Sequence, residues 1–169
     1  EGEKELYIPF WALPFNELLS IFSGSLSDSN KDYFREKIVS AKLSSIKKNS
    51  ITIEKELVTA DSPIPFSLEK LWFDLDDFER QTYRERANPS TITQLKVKGS
   101  ANTLLSNEYE PAAAGGGSPF LNNMAKGILG FLDSVRMKLK DSTYNFLFSP
   151  SDFKPDLDGK VKQDLSYLL

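Results

Sequence analysis

The chain of 169 residues has no cysteine and no histidine. Without cysteine there is neither a disulfide framework nor a thiolate metal site. Without histidine the commonest general base and the commonest metal ligand are both missing. Net charge is only −3, so no strong overall field favours nucleic acid or an anionic membrane. No apolar run reaches the roughly 18 residues of a membrane span, and the start, Glu1-Gly2-Glu3-Lys4-Glu5, has no signal-peptide apolar stretch. A cytoplasmic location with no membrane partner is the expectation.

What is present is the makeup of a folded domain, 40% apolar and 27% charged. The length suits one domain over residues 1–169. The chain also reads as a segment of a longer protein. It opens without methionine and stops on Asp164-Leu165-Ser166-Tyr167-Leu168-Leu169, where a helix is expected to continue.

Two stretches share one plan, an extended proline-aromatic lead-in that turns into an amphipathic helix. The first runs Leu13-Pro14-Phe15-Asn16-Glu17-Leu18, and the second runs Ser62-Pro63-Ile64-Pro65-Phe66-Ser67-Leu68. Each proline biases its predecessor away from helical backbone, and Asn16 or Ser67 is placed to cap the adjoining helix. The first lead-in predicts a short helix from Asn16 to about Ser23. Ser27 to Asn30 offers caps for a longer one through about Lys48, with Phe34, Ile38 and Ala41 on its apolar stripe. The second lead-in feeds a helix with Leu68, Leu71, Trp72, Leu75 and Phe78 on one face, persisting to about Arg86 before Asn88-Pro89.

Ile51 to Thr59 reads as extended chain or a short strand. Residues 87–119 form a weakly patterned surface loop, flexible around Ala112 to Ser118, a run with the composition of a native loop or an engineered linker. The step of three and four through Leu121, Met124, Ile128, Leu132, Val135 and Leu139 predicts the longest helix, Phe120 to Lys140, packed against the two earlier ones. Tyr144 to Phe148 reads as a strand or buried extended segment, and a last helix is expected from about Gly159. The fold expected is all-α or mainly α, an irregular bundle of four to five helices with one or two short strands.

Candidate chemistry is sparse. Gly115-Gly116-Gly117 is not followed by Lys-Ser or Lys-Thr, so it is no phosphate-binding loop. Asp74, Asp76, Asp77 and Glu79 read as a solvated acidic helix face, because the spacing and central glycine of a calcium loop are absent. Asp152, Asp156 and Asp158 read as turn chemistry. No serine stands in a Gly-x-Ser-x-Gly elbow.

Basic clusters at helix ends, among them Lys42, Lys47, Lys48, Arg84, Arg136 and Lys140, could touch phosphate, although helix C-termini favour cations in any case. Lys47, Lys48, Arg84 and Arg136 are the candidate phosphate contacts. Phe10, Trp11 and Phe15 are the candidate interface, with burial in the chain's own core as the competing account.

Three segments resemble parts of HerA-type ATPases, relatives of the FtsK DNA translocases. Tyr7 to Leu18 is similar to a Trp-x-Leu-x-x-x-Glu-Leu stretch of that family. Thr59 to Trp72 resembles a second family segment, and Phe120 to Pro150 a third. The resemblance implies the helical domain inserted between the nucleotide-binding motifs of such an ATPase. Its parent would hydrolyse ATP with magnesium in a hexameric ring, often on double-stranded DNA, and some members work with a nuclease or a sirtuin-type partner. No position here matches the family's phosphate-loop lysine, its second acidic motif or its arginine finger.

The segment is therefore expected to be a non-catalytic module without a cofactor of its own. Subunit contact or partner docking is the role expected first, with the remainder of the parent as the first partner and homo-oligomers formed through it. A nucleic-acid-contacting arm using the basic helix ends is the alternative.

Overall fold

Each proline lead-in ends in a helix, and one hydrogen bond ties the first to the residue just ahead of the second. A computed structural model describes residues 9–148. A 3-10 turn, Phe10–Ala12, leads into α1, Phe15–Ile21. Asn16 does not cap α1. The Phe15 N–H instead donates to Asp61 Oδ1 at 2.6 Å, so the residue just ahead of the second lead-in caps the first helix from 46 residues away.

Helix α2, Asp28–Lys48, begins at Ser27, whose Oγ accepts from the Asn30 N–H, and ends on Lys47 and Lys48 as the helix dipole favours. Helix α3, Leu68–Arg80, begins at Ser67, whose Oγ accepts from the Lys70 N–H. Its apolar stripe of Leu68, Leu71, Trp72 and Leu75 is buried. Helix α4, Leu129–Lys140, packs on α3, and a single turn, α5, Asn145–Phe148, comes after it. The Trp72 indole N–H donates to the Leu132 carbonyl at 3.0 Å across the α3/α4 contact.

One aromatic core holds these helices. Phe10 stands edge-on to Phe66 and lies 5.8 Å from Phe148, while Phe131 stands edge-on to both Phe22 and Phe34. Offset and edge-to-face geometries of this kind add to the stabilisation that burial already provides.

The described residues are mainly helical, yet they also hold two small antiparallel sheets, so the fold is mixed rather than purely helical. Strand β1, Thr82–Tyr83, pairs with β4, Phe120–Leu121. Strand β2, Leu95–Val97, pairs with β3, Glu108–Tyr109, through an irregular register.

These strands overturn three expectations. Helix α3 stops at Arg80 because Gln81 turns extended and Tyr83 pairs with Phe120. The helix expected from Phe120 starts only at Leu129. Ahead of it the Asn122 amide donates to the Phe78 carbonyl, and Gly127 takes a left-handed φ of 70°. Residues 87–119 contain β2 and β3 instead of forming a plain loop. Ile51 to Thr59 forms no strand, only the 3-10 turn Lys55–Leu57. Tyr144 to Phe148 is helical rather than extended. The helix expected from Gly159 and the Asp152, Asp156 and Asp158 turn lie outside the described residues.

Candidate functional site

Helices α2 and α3 diverge enough to leave a trough of about 860 Å³ between them. That volume lies in the range of small-ligand and peptide clefts. Its α2 wall carries Lys37, Ser40, Ala41, Ser44, Ser45 and Lys48, a ladder at helical spacing. The α3 wall carries Lys70, Leu71, Asp74, Leu75 and Phe78, and Phe66 and Met124 complete the apolar lining. Leucine and phenylalanine therefore form the floor, and lysine occupies the rim.

The sequence makes this trough by placing small residues where α2 would otherwise fill it. Ser40, Ala41, Ser44 and Ser45 follow the buried Ile38 on the adjoining face. The Ser40 and Ser44 hydroxyls turn back to donate to the Glu36 and Ser40 carbonyls. Ser45 does not. It is 8% exposed, and its Oγ has no hydrogen-bond partner among the described residues.

At one end of the trough the half-buried Tyr33 lies beneath two ammonium groups, Lys37 Nζ at 5.2 Å and Lys126 Nζ at 5.5 Å from its ring centre. Burial, and then the charges of Glu79 and Glu36, push the Tyr33 hydroxyl above its ordinary pKa. Across the rim Lys70 pairs with Asp74 at 2.9 Å.

Beneath the trough's α2 wall is a lysine whose role the sequence conceals. Lys42 has the position of a basic residue near the end of α2, yet it is 1% exposed. It falls in the i, i+4 row of Phe34, Ile38 and Ile46, and that spacing is the available signal. Its ammonium donates to the carbonyls of Ala60 and Ser62, both at 2.6 Å, and lies over the Phe66 ring. Burial lowers its pKa to about 8, opposed in part by the charge of Asp61. Lys42 thus fastens the second lead-in to α2.

Of the four carboxylates expected on a solvated face of α3, Asp74 is exposed, whereas Asp76, Asp77 and Glu79 are drawn into the structure. Asp76 is fully buried, with Oδ2 accepting from Arg80 Nε at 2.8 Å and Oδ1 without a partner among the described residues. Asp77 Oδ1 accepts from both the Asn107 amide and the Tyr109 hydroxyl at 2.6 Å. Burial, and then the bond and charge of Asp77, push the Tyr109 hydroxyl up to about 12. Glu79 accepts from the N–H groups of Lys126, Gly127 and Ile128, placing a carboxylate at the start of α4, where the helix dipole favours it. Among the described residues no group of three carboxylate, histidine or cysteine side chains could hold a metal ion.

Phe10, Trp11 and Phe15 are 0%, 3% and 3% exposed, so these three side chains are core and offer no free docking patch. Lys47 and Lys48 stand exposed at the end of α2, and Lys48 borders the trough. Arg84 follows β1 and contacts both carboxylate oxygens of Glu110 at 2.6 Å. Arg136 pairs with Asp133 at 2.8 Å and lies over Trp72. The four candidate phosphate contacts therefore stand at three separate places, the end of α2, the residue after β1 and α4, and both arginines already engage a carboxylate. No helix among the described residues is long and apolar enough to cross a membrane.

No protein-family model matches the chain, and no curated protein is a significant match to it.

Proposed function

We propose that this chain is a non-catalytic helical module of a HerA-type P-loop ATPase, an irregular bundle serving subunit contact or partner docking. ATP and magnesium then belong to the parent's core rather than to this segment. The observation that carries the reading is a meeting of three rings. Phe10, Phe66 and Phe148 come one from each segment that resembles the family, and Phe10 packs on the other two at 5.2 and 5.8 Å. Segments that far apart in sequence have reason to resemble one family together if they build one unit.

Deleting residues 9–148 from the parent tests this. Native mass spectrometry and pull-down are expected to show lost ring contacts or lost partner recruitment, with the phosphate-binding motifs intact. A deleted parent that still forms rings and still recruits its partner would refute the role. The engaged states of Arg84 and Arg136 weigh against the DNA-contacting alternative. Duplex DNA binding with a steep salt dependence would restore it.

A further inference from the structure

The walls of the α2/α3 trough have the form of two helices awaiting a third. Each presents a continuous face, from Tyr33 to Asn49 on α2 and from Ser67 to Phe78 on α3. At 1.5 Å per residue these faces are about 24 Å and about 17 Å long, the span of a three- to four-turn helix. The small side chains of Ser40, Ala41 and Ser44 leave the α2 backbone open to the 8–10 Å axial approach of packed helices. Opposite them the partly buried Phe78 and the exposed Met124 supply apolar surface, over a floor closed by the buried Leu71 and Leu75.

One further observation points to what fills it. The rim is lopsided in charge. Lys37 and Lys126 make no salt bridge with a described carboxylate, and Asp74, the one acid lining the trough among the described residues, is already paired with Lys70.

We propose that the α2/α3 trough seats an amphipathic helix of a partner protein. Its apolar stripe lies on Ala41, Phe78 and Met124, and its acidic flank lies between Lys37 and Lys126. This is the helix-in-groove mode, in which the apolar anchors supply affinity and the rim charges select the partner. It does not depend on which larger protein carries the chain.

The test uses the full chain and two designed helical peptides of 14 residues, about 21 Å long. Both carry leucine at i, i+3, i+4 and i+7, one with glutamate flanks and the other with lysine flanks. Calorimetry is expected to show the glutamate peptide binding at least about tenfold more tightly. Lys37→Glu with Lys126→Glu reverses that order, whereas Lys96→Glu with Lys98→Glu, at and beside β2, leaves it unchanged. Ser44→Trp, at an exposed position on the wall, fills the trough and abolishes both interactions while circular dichroism reports an intact fold.

Equal affinities, or an order that the charge reversal does not change, would overturn the proposal. So would dodecanoate binding without peptide binding, which assigns the trough to a small amphiphile. Self-association of the chain that Ser44→Trp abolishes would overturn it as well, in favour of a second copy.

Discussion

The helical part of the molecule and the stretch from Thr82 to Leu121 are held together by different physics. In the first, phenylalanine, leucine and tryptophan side chains bury one another, and Phe10, Leu132 and Trp72 are no more than 1% exposed. In the second, polar bonds do the fastening. The Thr82 hydroxyl lies 2.7 Å from that of Thr93 and donates to the Glu110 carbonyl, Arg84 pairs with Glu110, and Asp77 holds Asn107 and Tyr109. Tyr83 and Leu104 are buried, but several of its other large apolar side chains face outward, with Leu121 74%, Leu105 50% and Leu95 45% exposed. Apolar burial over many residues is cooperative, whereas each polar tie contributes only a modest net amount. The two parts should therefore respond differently to the same kind of substitution.

The largest contrast comes from leucine truncation. Leu132→Ala or Leu71→Ala should cost about 2–5 kcal/mol in urea denaturation, whereas Leu121→Ala should stay within about 0.5 kcal/mol. Next, Asp77→Ala removes the acceptor shared by Asn107 and Tyr109 and should cost about 1–3 kcal/mol. The same variant should bring the Tyr109 hydroxyl down from about 12 toward its ordinary 10, as read by ultraviolet titration.

Lys42 provides a pH signature for the helical part. Above about pH 8 the folded chain releases this proton, whereas the unfolded chain holds it to 10.5, so stability rises with pH through that window. Tyr109 acts in the opposite sense between 10 and about 12, which leaves roughly pH 8 to 10 for the measurement. Stability should climb there by about 1 kcal/mol per pH unit, and Lys42→Met should flatten the slope. The smallest effect is at the junction of the two parts. Glu79→Gln weakens the carboxylate at the start of α4 and should cost about 0.3–1 kcal/mol, seen as a small fall in Tm.

These same differences decide what is legible in the sequence. The starts of α2 and α3 can be read from Ser27 and Ser67, and their buried stripes from spacing, because capping and amphipathic periodicity are local signals. The pairing of Thr82 and Tyr83 with Phe120 and Leu121 is not local, and it cuts both neighbouring helices short. Leu121 and Met124 fall in step with the α4 stripe, yet they are 74% and 44% exposed, so the match in period is a coincidence of spacing. Gly127 holds the usable clue, since a glycine with positive φ more often ends a helical pattern than continues it.

The trough between α2 and α3 leaves a fainter trace. Ser40, Ala41, Ser44 and Ser45 look like an ordinary polar face until α3 is placed beside them. Lys42 looks like surface charge for the opposite reason, because a core lysine breaks the binary pattern that periodicity relies on.

Native-state hydrogen exchange tests the two-part account most directly. Amides of α2, α3 and α4 should exchange only through global unfolding, with protection matching the stability from denaturation. Amides of Leu95, Val97 and Tyr109 should exchange through a smaller opening that urea affects weakly. If both sets share one free energy and one urea dependence, the molecule opens as a single unit and the two-part division is wrong.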